Sequence, residues 1–227
     1  MVHSFDLSPT ALILIVTSVE AEKSAIERGL KGDLRFRVVT AGVGVAAASV
    51  TTARQLAQEP GVYGLVVNMG IAGGFSEYAE VGSVVIANEI VAADLGAETQ
   101  DGFSPLDELG FGSTRVAVDE QLASDVAEAL RGAGLSARTG PVLTVTTVTG
   151  TAATASALAA RVPGAVAEAM EGFGVAVAAR DAGLAVMEIR AISNPVGPRD
   201  RATWKIKEAL DTLELASRLL REALMRG

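Results

Sequence analysis

One stretch, AVAEAMEGFGVAVAARDAGLAVMEIRAISNPVGPRDR at 165–201, constrains the fold of this chain more than any other. Small apolar residues lead into Met170 and Glu171, and a light helix opens at Gly172 through Val175, Ala176, Val177, Ala178 and Ala179. Gly183 is the natural stop for that helix. A second apolar run, 184–192, then breaks at Ser193, Asn194 and Pro195. Strand, helix and strand in this order place the chain in the α/β class. The unit also sets a carboxylate, Glu171, and an amide, Asn194, where its two strands end. Ligands of open α/β sheets bind at such carboxyl ends. Each side chain has a plain explanation by itself, since helix dipoles favour an acidic start and Asn before Pro is a turn signal. Set together at two strand ends, they can hold a polar, neutral small molecule.

The rest of the chain supplies more of the same sheet. ALILIVT at 11–17 is a continuous apolar run of strand length, as expected of a strand buried on both faces. Ser18, Val19 and Glu20 follow it, and a helix is expected over 21–30, which sets Glu20 at a strand end and a helix start. Residues 35–40 alternate like a half-exposed strand, and AGVGV at 41–45 leads into an Ala-rich helix over 46–59. The third glycine of a dinucleotide fingerprint is missing there, and the loop holds no Lys or Arg for phosphate. A buried strand over 64–68 ends in MGIAGGF at 69–75, whose small residues expose backbone to whatever lies beside them. A long β stretch follows to about residue 93. The segment 94–114 is polar and glycine-rich with Phe103, Leu106, Leu109 and Phe111 at intervals, a length of loop that is usually functional or covered by a partner. A helix over 119–132, a strand over 141–147 and a helix over 151–161 come next, with threonines from 144 to 151 at a strand end. A final helix over 202–225 carries Ile206, Leu210, Leu213, Leu220 and Leu224 at helical spacing, with Ser217 the polar member of the stripe.

Three of these motifs resemble a known family when taken in order. NMGIAGGF, EAMEGFG and RAISNPVGPRDR resemble the glycine loop, the MEG helix and the RAIS strand of the purine nucleoside phosphorylase and methylthioadenosine nucleosidase superfamily. AISNPVGPRDRATWKI is most similar to one branch of it, the futalosine hydrolases of menaquinone biosynthesis. The resemblance runs from TSVEAE through the last helix. It implies a phosphorylase/hydrolase-like three-layer fold, a mixed central sheet flanked by helices. It implies hydrolysis of an N-glycosidic bond without a cofactor. Carried over residue by residue, Glu20 would activate a water, Met170 would pack on the ribose and Glu171 would accept from its hydroxyls. Gly73, Thr149 and Ser193 would line the nucleoside pocket, and Asn194 would face the purine. The methylthioadenosine nucleosidases carry Asp where Asn194 stands. An amide NH2 donates to N7 or to a 6-oxo oxygen, so Asn194 points to a 6-oxopurine such as hypoxanthine. Futalosine has an aromatic carboxylate beyond its ribose, for which Arg199 or Arg201 is the candidate cation. Related nucleosidases dimerise through the region of 94–114, so a homodimer is expected, with Phe103 or Leu106 near the partner's pocket.

Composition closes off other classes. A net charge of -8 without a basic stripe argues against nucleic acid. Without cysteine there is no thiol nucleophile or thiolate metal site, and the lone His3 leaves no His-based metal site or triad. No run approaches the ~18 apolar residues of a membrane span, and the segment before residue 11 lacks the positive charge of a signal peptide. A cytoplasmic, single-domain enzyme is expected, with residues 1–9 loose. Two other readings stay open on the residues alone. A purine nucleoside phosphorylase would depend on phosphate. A binding protein without catalysis would hold the nucleoside and release no base.

Overall fold

The run of branched apolar residues after position 11 forms β1 (Leu12–Thr17), in which Ile13, Leu14, Ile15 and Val16 are wholly buried. This is a computed structural model, and it describes residues 10–100 and 102–224. The expectations for residues 1–9, for His3 and for the helix end at Met225 lie outside them. β1 pairs in parallel with β2 (Phe36–Thr40) on one side and β3 (Tyr63–Gly74) on the other. Between these strands run α1 (Glu20–Leu30) and α2 (Val45–Gln58).

The second half of the chain completes the sheet. It comprises β4 (Val84–Ala92), the hairpin β5 (Gly96–Thr99) and β6 (Gly102–Pro105), β7 (Arg115–Ala117), α3 (Glu120–Gly132), β8 (Ala137–Thr144), α4 (Ala152–Arg161), β9 (Ala167–Ala169), α5 (Gly172–Asp181), β10 (Ala185–Pro195) and α6 (Ile206–Leu224). β10 runs parallel to β3 and antiparallel to β4, β4 runs parallel to β8, and β8 runs parallel to β9. β9 then returns antiparallel to the far end of β3. The pairings β3–β10–β4–β8–β9–β3 therefore close a ring, with β1 and β2 extending from β3. α1 packs on α6 and α6 on α3, α2 packs on α5, and the helices cover the mixed sheet.

Three expectations are corrected. The stretch at 69–74 is not a loop, because β3 continues through it to Gly74 with β10 alongside and β9 beside its last two residues. Small side chains are what allow this close packing: a Cβ on Gly74 would stand 2.8 Å from Ile192 Cγ2 of β10 and 2.4 Å from the carbonyl oxygen of Ala79 in the following turn. Likewise β10 does not break at Ser193 but runs on to Pro195, with a register shift between Ile192 and Asn194. The 94–114 segment, expected as a loop, contains the two-stranded β5–β6 hairpin. Among the described residues no helix is long and apolar enough to cross a membrane.

Candidate active site

At the carboxyl ends of β1, β3, β9 and β10 lies a cavity of about 270 Å³. Its acidic floor begins with α1. Buried positions on that helix are Glu22, Ala25, Ile26, Gly29 and Leu30, one stripe at helical spacing. Glu22 is the first member of the stripe and the only charged one. Its Oε2 accepts from Thr17 Oγ1 at 2.7 Å, Ser18 N at 3.0 Å and Val19 N at 3.2 Å. Its Oε1 accepts from Ile71 N at 2.9 Å. Gly70 makes this seat possible, since a Cβ there would stand 2.7 Å from Glu22 Oε1.

Glu20, the residue expected to activate water, does not line the cavity. Two residues along a helix are about 200° apart around its axis, so Glu20 faces outward when Glu22 faces in. Glu20 is exposed, and its Oε1 accepts from Thr40 Oγ1 at 2.5 Å.

Gly73, Thr149, Met170, Glu171, Ser193 and Asn194, by contrast, all line the one cavity. Glu171 stands at the start of α5 and pairs through Oε2 with Arg190 Nη2 at 3.4 Å. Arg190 is fully buried and donates from Nε to Glu188 Oε1 at 2.8 Å and from Nη2 to Asn68 Oδ1. Burial pushes the Glu188 carboxyl up, against the pull of Arg190. Glu188 also explains the glycine of the MEG motif, because a Cβ on Gly172 would stand 2.1 Å from Glu188 Oε2.

The orientation of Asn194 follows from its neighbours. Its Nδ2 donates to Pro195 O at 3.0 Å, and a carbonyl oxygen can face only a donor. Oδ1 therefore turns to Ser193 Oγ, which donates at 2.8 Å, and among the described residues the second Nδ2 hydrogen has no acceptor. Like Glu22, the lining residues Glu168 and Trp204 were not anticipated. Glu168 accepts from Thr149 N at 2.9 Å and from Thr149 Oγ1, and burial raises its carboxyl. Trp204 lines the cavity, half-buried, with the guanidinium carbons of Arg199 and Arg201 5.6 Å and 5.9 Å from its ring centre. Arg199 itself is exposed and does not line the cavity, and neither does Phe103, which lies under Arg161 at 3.6 Å.

A family model described as the phosphorylase superfamily matches residues 11–226. The chain belongs to the phosphorylase superfamily. It is 48% identical over 219 residues to a futalosine hydrolase of Streptomyces coelicolor, covering 88% of this chain and 91% of that one. A futalosine hydrolase of Acidothermus cellulolyticus is 46% identical over 216 residues, covering 89% and 87%. Among solved structures, the fold is that of the 5'-methylthioadenosine/S-adenosylhomocysteine nucleosidase from Neisseria meningitidis, with a TM-score of 0.79 at 19% identity over 93% of this chain and 99% of that one.

In this member of the phosphorylase superfamily the AGVG turn has a specific task. Gly42 and Gly44 take φ of 89° and 100°, a region that favours glycine, and the turn brings Gly44 N within 3.1 Å of Glu171 Oε1. The backbone amide that a nucleotide-binding loop would offer to phosphate donates instead to a carboxylate of the site.

Proposed function

We propose that this protein hydrolyses futalosine, as the names of its relatives from Streptomyces coelicolor and Acidothermus cellulolyticus suggest, and that it does so at the N-glycosidic bond, releasing hypoxanthine. The observation that carries this reading is the meeting of Glu22, Glu171 and Asn194 in one cavity. Breaking the bond builds positive charge on the sugar and negative charge on the departing base. Glu22 takes the role first expected of Glu20. It accepts a proton from water as the water oxygen bonds to the anomeric carbon, and its charge favours the cationic sugar. Glu171, fixed by Gly44 and Arg190, accepts from the ribose hydroxyls and sets the ring in line for attack. Met170 packs against the ribose. The bond electrons pass to the base, where the free Nδ2 hydrogen of Asn194 meets N7 or the 6-oxo oxygen.

The aromatic carboxylate beyond the ribose would reach Trp204, with Arg199 or Arg201 supplying the cation. On this reading the enzyme acts in the cytoplasm, in menaquinone biosynthesis. It works as a homodimer joined through 94–114, where Leu95 is 40% and Phe111 78% exposed. The deciding experiment is incubation with a nucleoside panel in phosphate-free buffer. Hypoxanthine should appear from futalosine. No base released, or release only on adding phosphate, would overturn the assignment.

A further inference from the structure

Glu168 has no part in the mechanism above, yet it is a buried carboxylate lining the same cavity. Its place in the sheet is informative. Gly73 of β3 is paired with Glu168 of β9 on one side and with Asn194 of β10 on the other. Side chains at paired positions of neighbouring strands project to the same face. A Cβ built on Gly73 would come within 3.3 Å of Asn194 Nδ2. Glu168 and Asn194 thus flank a bare glycine across three strands, with backbones about 10 Å apart at the usual strand spacing. That Cβ would also stand 3.0 Å from Val196 Cγ2, so a bare glycine is what lets Asn194 and Val196 close over this part of the cavity wall.

The two flanking groups are chemically complementary. Asn194 has one free N–H hydrogen. Glu168 can only accept when ionised, and Thr149 occupies two of its roughly four lone-pair sites. Among the described residues no Lys or Arg forms a salt bridge with it, and the Asp94 charge opposes it. A buried acceptor in that condition is short of a donor. The lactam edge of a 6-oxopurine offers one, the N1–H, directly beside the O6 acceptor. Adenine presents the reverse, an amine donor beside an N1 acceptor.

We propose that Glu168 is a specificity residue, accepting the N1–H of the purine while Asn194 donates to the neighbouring side of the ring. This rests on the reading of the cavity as a 6-oxopurine nucleoside site. Asn194 alone would tolerate any base with an acceptor at that place, whereas the pair reads the lactam.

Binding of free bases by calorimetry tests this without turnover. The wild type should bind hypoxanthine about 10- to 100-fold more tightly than 1-methylhypoxanthine, the range expected for a hydrogen bond to a charged acceptor. Glu168→Gln is the same size and leaves any steric effect of the methyl group as in the wild type, but it replaces the charged acceptor with a neutral amide, so the ratio should collapse toward that steric remainder. Adenine should lose its disadvantage in the same variant. Glu168→Asp, which withdraws the oxygens by one methylene, should show the same collapse and serves if the amide variant does not fold. The proposal is overturned if the ratio is unchanged in both variants, or if all three bases weaken by the same factor, as when Glu168 merely props Thr149. Absence of any wild-type preference for hypoxanthine overturns it too. If the ratios behave as stated and futalosine still yields no base, the hydrolase assignment falls and Glu168 stands.

Discussion

Glu22 accepts four hydrogen bonds from two segments of chain, while Glu20, two residues earlier, faces solvent. Their substitutions should therefore separate cleanly. Glu22→Gln should lose ~100-fold or more in turnover, the usual scale for a lost acid–base group, and keep its fold. Glu20→Gln should stay near wild type in the same assay. Asn194→Asp is a different kind of change. Its side chain would set an oxygen against Pro195 O, so the variant should favour a protonated carboxyl there and turn the enzyme toward 6-amino bases. Comparing futalosine with its 6-amino counterpart for both proteins reads this out; an unmoved ratio would mean that Asn194 does not see the base. Glu171, Ser193 and Asn194 were legible in the sequence because apolar runs end on them. Glu22 was legible too, but only by counting back from Leu30 and Ile26 in steps of four, which lands on 22 and not on 20. Glu168 gave no signal, since three residues of β9 are too few to show alternation.

At the scale of elements, the crossing of α1 and α6 is set by a single glycine. A Cβ on Gly29 would stand 2.0 Å from Ser217 Oγ and 2.1 Å from the Glu214 carbonyl oxygen. Ser217 is the polar residue of the α6 stripe, and its hydroxyl sits between the two helices, 3.1 Å from Ile26 O of α1 and 2.8 Å from Glu214 O of α6. Gly29→Ala should force them apart and cost ~1–3 kcal/mol, as overpacking does, read as a lower midpoint in denaturant. Because α1 also carries Glu22, turnover should fall further than the loss of folded protein explains. The long helices and strands were readable from periodicity, whereas the short strands β5, β6 and β7 were not. MGIAGG reads as loop because Gly and Ala usually mark turns. Here they make room for β9 and β10, a tertiary demand that local sequence does not display.

Across the whole molecule, charge and assembly yield two further expectations. Burial raises the Glu168 carboxyl above its ordinary value of 4.5, so the folded state holds its proton more tightly than the unfolded chain does. That contribution to stability is fully present below 4.5 and is lost as pH rises through the folded value. Glu168→Gln escapes the loss, so its melting temperature relative to wild type should climb as pH is raised from 4.5 to 7. A difference flat with pH would remove the effect. In sedimentation the wild type should run as a dimer at micromolar concentration, and Phe111→Asp should shift it to monomer if the exposed 94–114 face is the contact. The ring of strands described above has one short clasp: β9 is three residues long and follows the exposed Pro163 and Gly164. Glu168 sits in that clasp and Glu171 just after it, so a bound ligand would press shut the segment that most easily springs open. An idle enzyme should then be the vulnerable one, cut near residue 164 by a broad-specificity protease, while hypoxanthine at saturating concentration should spare it.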